Sequence, residues 1–174
     1  DFIYRKAYAK VFLNVDTFFI PYISVKNNQI LKKYEREILL QNNPQKKVIP
    51  QILVKNEEEM LFLSKTLHDL GYNEINLNLG CPYPMATNRG KGAGLLPHPD
   101  KIKTLLNSFF EKSSLKLSIK FRAGLNSSEE IESILPVFNE FPLTELILHP
   151  RIARQLYKGK IYESAFQLAQ NTLK

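Results

Sequence analysis

The sequence has 174 residues, and its shortage of cysteine and of long apolar runs excludes several classes of protein. Cys81 is the single cysteine, so an intrachain disulfide and an all-cysteine zinc site are both excluded. A lone thiol is typical of a reducing compartment, and we expect a cytoplasmic location. No apolar run approaches the roughly 20 residues that a membrane-spanning helix needs. The sequence therefore predicts a protein without a membrane association.

The length is also too short for a complete (β/α)8 barrel, which typically takes about 250 residues. Hydrophobic residues make up 44% of the chain and charged residues 24%, which is ordinary for one globular domain and excludes disordered and fibrous classes. The net charge of +7 is compatible with a polyanionic partner and equally with plain solubility charge. The chain starts at Asp1 without a methionine, so we expect a fragment of a longer protein.

Short apolar runs alternate with longer amphipathic patterns along the whole chain. The predicted strands are Thr17–Val25, Val48–Val54, Glu74–Leu79, Lys116–Phe121 and Glu145–His149. The predicted helices are Phe2–Leu13, Gln29–Gln41, Glu57–Leu70, Pro99–Lys112, Ser127–Phe141 and Tyr162–Leu173. This alternation predicts an α/β fold with a parallel sheet. Two architectures stay open: a small doubly wound sheet, and a (β/α)8 barrel that is incomplete in this chain.

Polar and special residues follow the predicted strands at their carboxyl ends. Cys81 comes directly after one strand, Lys120 and Arg122 lie at the end of the next, and His149 and Arg151 at the end of the last. In both candidate architectures this edge of the sheet carries the active site. The sequence therefore predicts that these side chains share one site.

Each candidate also has a plain structural interpretation. A single buried cysteine is often structural, but a thiol with an ordinary pKa of about 8.5 is mostly protonated at neutral pH and can act as a general acid. Lys120 interrupts an apolar strand, where either its ammonium reaches solvent or an anionic ligand binds it. His149 alone would more often be a hydrogen-bonded core residue.

The segment from Arg89 to Gly94 is rich in glycine, but it lacks the residue order of a phosphate-binding P-loop. We predict a flexible basic loop beside the site that can approach a phosphate backbone, with a plain surface turn as the alternative.

Four motifs together resemble those of the tRNA-dihydrouridine synthases. One is Leu77–Pro82, followed by Gly92–Leu96 and Pro99; another is Ser118–Gly124, similar to the family's K-x-R-x-G segment. The third is His149-Pro150-Arg151 followed by Gln155, Tyr157 and Gly159. In addition, Gln51 occupies the place of the family's flavin-contacting glutamine. The four motifs occur in the family's order.

The resemblance implies an FMN-binding (β/α)8 barrel that is followed by a helical tRNA-binding domain. Such enzymes reduce the C5–C6 double bond of particular uridines in tRNA and use NADPH to reduce the flavin. On this plan residues 1–174 form a single partial barrel domain that covers roughly strands two to six, and the helical domain is absent. We expect the complete enzyme to be monomeric.

The resemblance also implies roles for individual residues. Cys81 would be the general acid that protonates C5 of the uracil ring. Three residues would bind FMN, namely Gln51, Lys120 and His149. Contacts with the substrate or with FMN are implied for Asn78, Arg122 and Arg151, with Asn78 on the target base.

Two other functions stay open at this point. One is a different FMN-dependent barrel oxidoreductase that acts on a free pyrimidine or an enone. The other is a non-catalytic tRNA-binding module in which Cys81 is structural. The basic loop and the helix that contains Arg5, Lys6 and Lys10 favour a nucleic-acid substrate.

Overall fold

A computed structural model describes residues 1–26, 29–44 and 47–173, which form alternating strands and helices. The first half contains α1 (Phe2–Val11), β1 (Phe18–Ile23), β2 (Val25–Lys26), β3 (Gln29–Ile30), α2 (Lys32–Ile38), β4 (Val48–Ile52), α3 (Glu57–Asp69) and β5 (Glu74–Leu79). The second half contains α4 (Pro84–Thr87), α5 (Pro99–Lys112), β6 (Lys116–Gly124), α6 (Glu130–Phe138), β7 (Glu145–Ile152) and α7 (Glu163–Thr172). Short 3-10 helices cover Leu40–Asn42, Gly92–Leu95 and Ala153–Gln155.

The order of the strands decides between the two predicted architectures. The main sheet has the order β1-β4-β5-β6-β7, and every neighbouring pair is parallel. A doubly wound sheet contains a point at which the strand order reverses, whereas the strands of a (β/α)8 barrel follow the chain. The prediction of an α/β fold of the barrel type is therefore confirmed, and the doubly wound alternative is wrong.

The core lies on the sheet, where the strands are almost continuously apolar. All six residues of β5 are buried, as expected for a central strand of a parallel sheet with both faces covered. The helices that cover the sheet contribute fully buried side chains to the same apolar cluster, among them Leu63, Leu67, Ile102, Phe109 and Leu135. No helix among the described residues is long and apolar enough to cross a membrane.

The predicted helix Gln29–Gln41 is wrong at both ends. Gln29 and Ile30 form β3, in which Ile30 pairs with Val25 of β2 in an antiparallel hairpin. The helical part ends at Ile38, because the Asn43 side-chain amide donates to the carbonyl oxygens of Glu37 and Leu39. These bonds satisfy carbonyl groups at the end of the helix and stop its continuation.

β6 and β7, which carry four of the candidate residues, are longer than predicted, whereas β4 ends at Ile52, before the predicted Val54. β6 continues to Gly124 and β7 to Ile152. Their parallel pairing joins Arg122 to His149 and, after a register irregularity, Gly124 to Ile152. Arg122 and Arg151 therefore lie within strands and not in the loops that follow them, and His149 lies inside β7 and not at its end.

Two helices begin where a side chain accepts hydrogen bonds from backbone N–H groups. The Asn56 side chain accepts a hydrogen bond from the Glu59 backbone N–H, which confirms the predicted start of α3. The helix predicted from Ser127 begins only at Glu130. The Glu130 carboxylate accepts hydrogen bonds from three backbone N–H groups of residues 125–127, so this segment is a loop folded around the carboxylate.

Candidate active site

A cleft of about 250 Å³ lies at the carboxyl ends of the parallel strands. Six residues that the sequence singled out line it, namely Gln51, Asn78, Cys81, Lys120, Arg122 and His149. The seventh, Arg151, does not line the cleft but contacts His149 from behind. The structure thus brings the predicted side chains of four strands to one place.

The register of the strands explains this convergence. Asn78 of β5 lies beside Lys120 of β6, and Arg122 of β6 lies beside His149 of β7. Residues that are paired in a parallel sheet project from the same face. The same face of the sheet therefore carries Gln51 beside Asn76, Asn78 beside Lys120, and Arg122 beside His149, at successive positions toward the carboxyl ends of the strands.

A chain of amide hydrogen bonds holds Gln51 in place. Gln51 Nε2 donates to Asn76 Oδ1 at 2.7 Å, and Asn78 Nδ2 donates to Gln51 Oε1 at 2.7 Å. Asn76 in turn donates to Ser118 Oγ at 2.9 Å, and both of these residues are fully buried. The sequence analysis did not assign Asn76 and Ser118; their only signal is that they are polar residues inside buried strands.

Asn78 also shapes the turn that presents Cys81. Its Oδ1 accepts hydrogen bonds from the backbone N–H groups of Gly80 at 2.9 Å and Cys81 at 2.8 Å. Since Nδ2 already donates to Gln51, only one amide hydrogen of Asn78 remains for a ligand. The Cys81 side chain is 6% exposed and packs among Leu53, Ala86 and Tyr22.

The glycine-rich segment after Cys81 is folded, so the prediction of a flexible basic loop is wrong. Gly92 has φ of +58°, and a Cβ there would lie 2.8 Å from Cys81 Cβ. The Ala93 N–H donates to the Cys81 carbonyl oxygen at 3.1 Å. Gly92–Leu95 is a buried 3-10 helix, and Lys91 is buried in an ion pair with Glu59. Glycine is required here because the backbone passes directly over Cys81.

The cleft carries positive charge without a balancing carboxylate. No acidic residue of the described chain lines it, although Lys120 and Arg122 do. Burial and the nearby Arg122 guanidinium lower the pKa of Lys120. Burial, together with Arg122, Lys120 and Arg151, lowers the pKa of His149 to about 4, so this imidazole is neutral at pH 7. These electrostatics suit an anionic ligand.

Arg122 is bonded to backbone groups of the protein. Its Nε donates to the Gly80 carbonyl oxygen at 2.9 Å, and its Nη1 donates to the carbonyl oxygens of Leu156 at 2.7 Å and Ile152 at 3.3 Å. The guanidinium also lies 5.2 Å from the centre of the Tyr157 ring. The side chain predicted to contact FMN or tRNA thus ties the turn after β5 to the segment after β7.

The pairing of Arg151 with His149 defines the histidine tautomer. Arg151 Nη1 lies 3.3 Å from His149 Nε2. A guanidinium can only donate, so Nε2 accepts and the neutral ring carries its hydrogen on Nδ1. Arg151 Nε donates to the Gly159 carbonyl oxygen at 3.2 Å, which fixes the arginine behind the imidazole.

Three tyrosines complete the wall of the cleft. Tyr22, Tyr83 and Tyr157 line it, and Tyr83 and Tyr157 are exposed at its rim. Burial, with a smaller effect of Cys81, raises the pKa of Tyr22, so its hydroxyl stays protonated. The sequence analysis did not assign Tyr22 or Tyr83, because a tyrosine at a strand end or in a turn carries no distinctive pattern.

Arg5 of α1 is not available to a nucleic acid, contrary to the sequence-based interpretation. It is 4% exposed, and its Nη2 lies 3.0 Å from Glu37 Oε2 and 2.7 Å from Asn43 Oδ1. Arg5 therefore joins α1 to α2. Of the three basic residues named in this helix, Lys6 and Lys10 remain outside such a buried pair.

Comparison with known proteins gives a consistent result. The profile of the dihydrouridine synthase family matches residues 11–172. A probable tRNA-dihydrouridine synthase of Helicobacter pylori is 34% identical over 104 residues, which cover 59% of this chain and 31% of that protein. The tRNA-dihydrouridine synthase B of Proteus vulgaris is 27% identical over 123 residues, 70% of this chain and 38% of that protein. The chain thus spans about a third of the length of the curated relatives it matches.

Proposed function

This chain belongs to the dihydrouridine synthase family, and we propose that it provides part of the catalytic barrel of a flavin-dependent enzyme that reduces uridine in tRNA. The observation that carries the proposal is the single cleft that gathers Cys81, Lys120 and His149 beside an ordered amide network. The matched relatives are named for tRNA-dihydrouridine synthesis. We extend the proposal to NADPH as the reductant, to a monomeric complete enzyme and to a cytoplasmic location, on the family resemblance.

The donor set of the cleft fits FMN. Lys120 is a half-buried cation, and no carboxylate among the described residues lines the cleft with it. An anionic group bound there would compensate its charge, as the electron-rich edge of a reduced isoalloxazine does. Gln51 and the Nδ1–H of His149 supply neutral hydrogen-bonding groups beside it. When bound, FMN supplies the hydride for C6 of the uracil ring.

Cys81 is the proposed proton donor to C5 of the uracil ring. Its thiol lies in the same cleft as Lys120, and the Asn78 side chain fixes the backbone on which it is carried. A buried, positioned thiol can protonate a carbon centre that solvent water does not reach.

The remaining polar residues are assigned to positioning. Asn78 has one free amide hydrogen, which we assign to a carbonyl oxygen of the target base. Arg122 holds the ends of β5 and β7 together, and Arg151 orients His149. The free N–H groups of Arg151 remain available to a phosphate of FMN or tRNA. The target base has to leave its stack to enter the cleft.

The test is dihydrouridine formation by the full protein on unmodified tRNA with FMN and NADPH, quantified by nucleoside mass spectrometry. Cys81→Ala should retain FMN and tRNA binding and lose about 10²–10⁴-fold in rate, the range of general acid catalysis. Met85→Ala is the matched control, because Met85 is exposed in α4, four residues after Cys81, and does not line the cleft. It should keep the wild-type rate.

Three other results would contradict the proposal. Near-normal product from Cys81→Ala would remove the proton-donor assignment. Reduction of free uracil or an enone in preference to tRNA would favour the other flavin-dependent function. A protein that binds tRNA but no flavin would be a binding module.

A further inference from the structure

Lys91 is a buried cation to which the proposed reaction assigns no role. Its Nζ lies 2.8 Å from Glu59 Oε2 and donates to Ser24 Oγ at 3.0 Å. The Lys91 and Glu59 side chains are only 9% and 12% exposed. Water solvates such a pair poorly, so each charge depends on the other and on its hydrogen bonds. The Lys55 backbone N–H gives Glu59 a further donor at 3.2 Å.

The three bonded residues belong to the three segments that surround Cys81. Lys91 lies in the segment that passes over the cysteine. Glu59 is in the first turn of α3, which follows β4 and Leu53. Ser24 follows the end of β1, two residues beyond Tyr22. Leu53 and Tyr22 are also the residues against which Cys81 packs.

The backbone transmits the position of Lys91 directly to Cys81. The adjacent Gly92 rests on Cys81, and a side chain there would meet both its Cβ and its carbonyl oxygen. The Ala93 N–H bonds the same carbonyl, and the Lys91 N–H donates to the Ala86 carbonyl oxygen at 3.0 Å. A displacement of Lys91 would therefore release the Cys81 backbone and Cβ from the segment that packs against them.

We propose that Lys91 is a positioning residue for Cys81: its bonds to Glu59 and Ser24 hold the segment after β5 closed against the Cys81 backbone and Cβ. The significance for proton donation rests on the function proposed above, whereas the closure itself does not. Without the pair, the segment opens locally and exposes Cys81 while the sheet stays folded.

The closure can be measured as the rate at which iodoacetamide alkylates Cys81 in the full protein. Mass spectrometry of the tryptic peptide 66–89 reports this thiol alone and is unaffected by substitutions at Lys91. Lys91→Met should raise the alkylation rate by about tenfold or more, because the segment after β5 would open locally more often and expose Cys81. The increase should be independent of urea below the unfolding transition.

Two further variants make the test specific. Lys103→Met removes an exposed ion pair with Glu140 and should leave the rate unchanged. Ser24→Ala removes one neutral hydrogen bond, leaves the ion pair intact, and should raise the rate about two- to fivefold. If Lys91→Met does not fold, Ser24→Ala carries the test, and a wild-type rate for that variant overturns the proposal.

Other outcomes also overturn it. One is a folded Lys91→Met that alkylates at the wild-type rate, and another is an increase that follows global unfolding in urea. In the tRNA assay, Lys91→Met should lower kcat and leave KM for tRNA unchanged. If the wild-type protein forms no dihydrouridine, the proposed function is wrong. The alkylation rates still decide whether Lys91 holds the segment after β5 closed against Cys81.

Discussion

Lys120 and His149 show how neighbouring strands give one cleft two different chemical groups. Both are partly buried near Arg122, and in both cases burial and positive neighbours disfavour the charged form. For His149 the result is a neutral ring at pH 7, bonded by Arg151. The ordinary pKa of a lysine is about four units above that of a histidine, so Lys120 is the more basic of the two groups although burial and Arg122 lower its pKa.

Replacement of Lys120 tests whether its positive charge contributes to FMN binding. We expect Lys120→Met to weaken FMN binding by about tenfold or more, because a charge-assisted hydrogen bond is lost. Fluorescence quenching of FMN in a titration of the full protein measures this. Lys116→Met is the matched control, since Lys116 is exposed at the start of the same strand. An unchanged dissociation constant for Lys120→Met would show that the side chain reaches solvent and does not face the flavin.

The low pKa of His149 predicts a dependence of stability on pH. Its pKa falls from 6.5 to about 4 on folding, so between these values the unfolded chain binds more protons than the folded chain. Stability is then highest above pH 6.5 and decreases as the pH falls toward 4. His149→Gln should remove this part of the slope.

Urea unfolding of the flavin-free protein measures the free energy of unfolding of the wild type and of His149→Gln. The measurements cover pH 4.5 to pH 7, about the span set by the shifted pKa. Equal slopes for the wild type and His149→Gln would contradict a neutral, partly buried imidazole.

At the scale of the element, the segment after β5 is irregular in secondary structure and is buried from Gly92 to Leu95. It combines the short helix α4, the 3-10 helix Gly92–Leu95 and a glycine against the Cys81 backbone. Its order comes from contacts and not from helix or strand propensity. The addition of one methyl group at Gly92 should therefore lower the free energy of unfolding substantially.

Gly90 and Gly92 form a natural comparison. Both have positive φ, +65° and +58°, but a Cβ on Gly90 meets nothing within 4 Å. Gly90→Ala should cost only the backbone strain, about 1–2 kcal/mol. Gly92→Ala should lower the free energy of unfolding by clearly more and should displace Cys81. Chemical denaturation of both variants measures their free energies of unfolding. Equal decreases for the two variants would mean that the close approach of Gly92 to Cys81 does not contribute to stability.

At the scale of the whole molecule, the sheet of the described residues has two outer strands. Each of β1 and β7 has one neighbour in this sheet. Beside β7 lies an apolar surface that is formed by Leu146, Leu148, Phe166 and Leu173. Unpaired edges and apolar patches of this kind favour association unless another element covers them.

We therefore expect residues 1–174, produced alone, to associate and to bind FMN weakly. Size-exclusion chromatography and an FMN titration measure both properties. Phe166→Glu places a charge on the apolar surface, away from the cleft, and should reduce association without improving FMN binding. Stoichiometric binding by a monomer with a dissociation constant below about 1 μM would contradict the expectation.

The sequence by itself determined the α/β alternation and the convergence of Cys81, Lys120 and His149. Buried parallel strands leave continuous apolar runs, and their carboxyl ends meet at one edge, so local patterns suffice for both. The choice of barrel order over a doubly wound sheet required the observed pairing of distant strands.

Only the tertiary structure decided what the other charged residues do. Lys91 and Arg5 look like solvent-exposed cations in the sequence, yet each is buried against a glutamate far away in the chain. Arg122 looks like a ligand contact and is bonded to carbonyl oxygens of two other segments. A charge is satisfied equally by water, by a ligand or by a distant partner, and only the folded chain selects one of them.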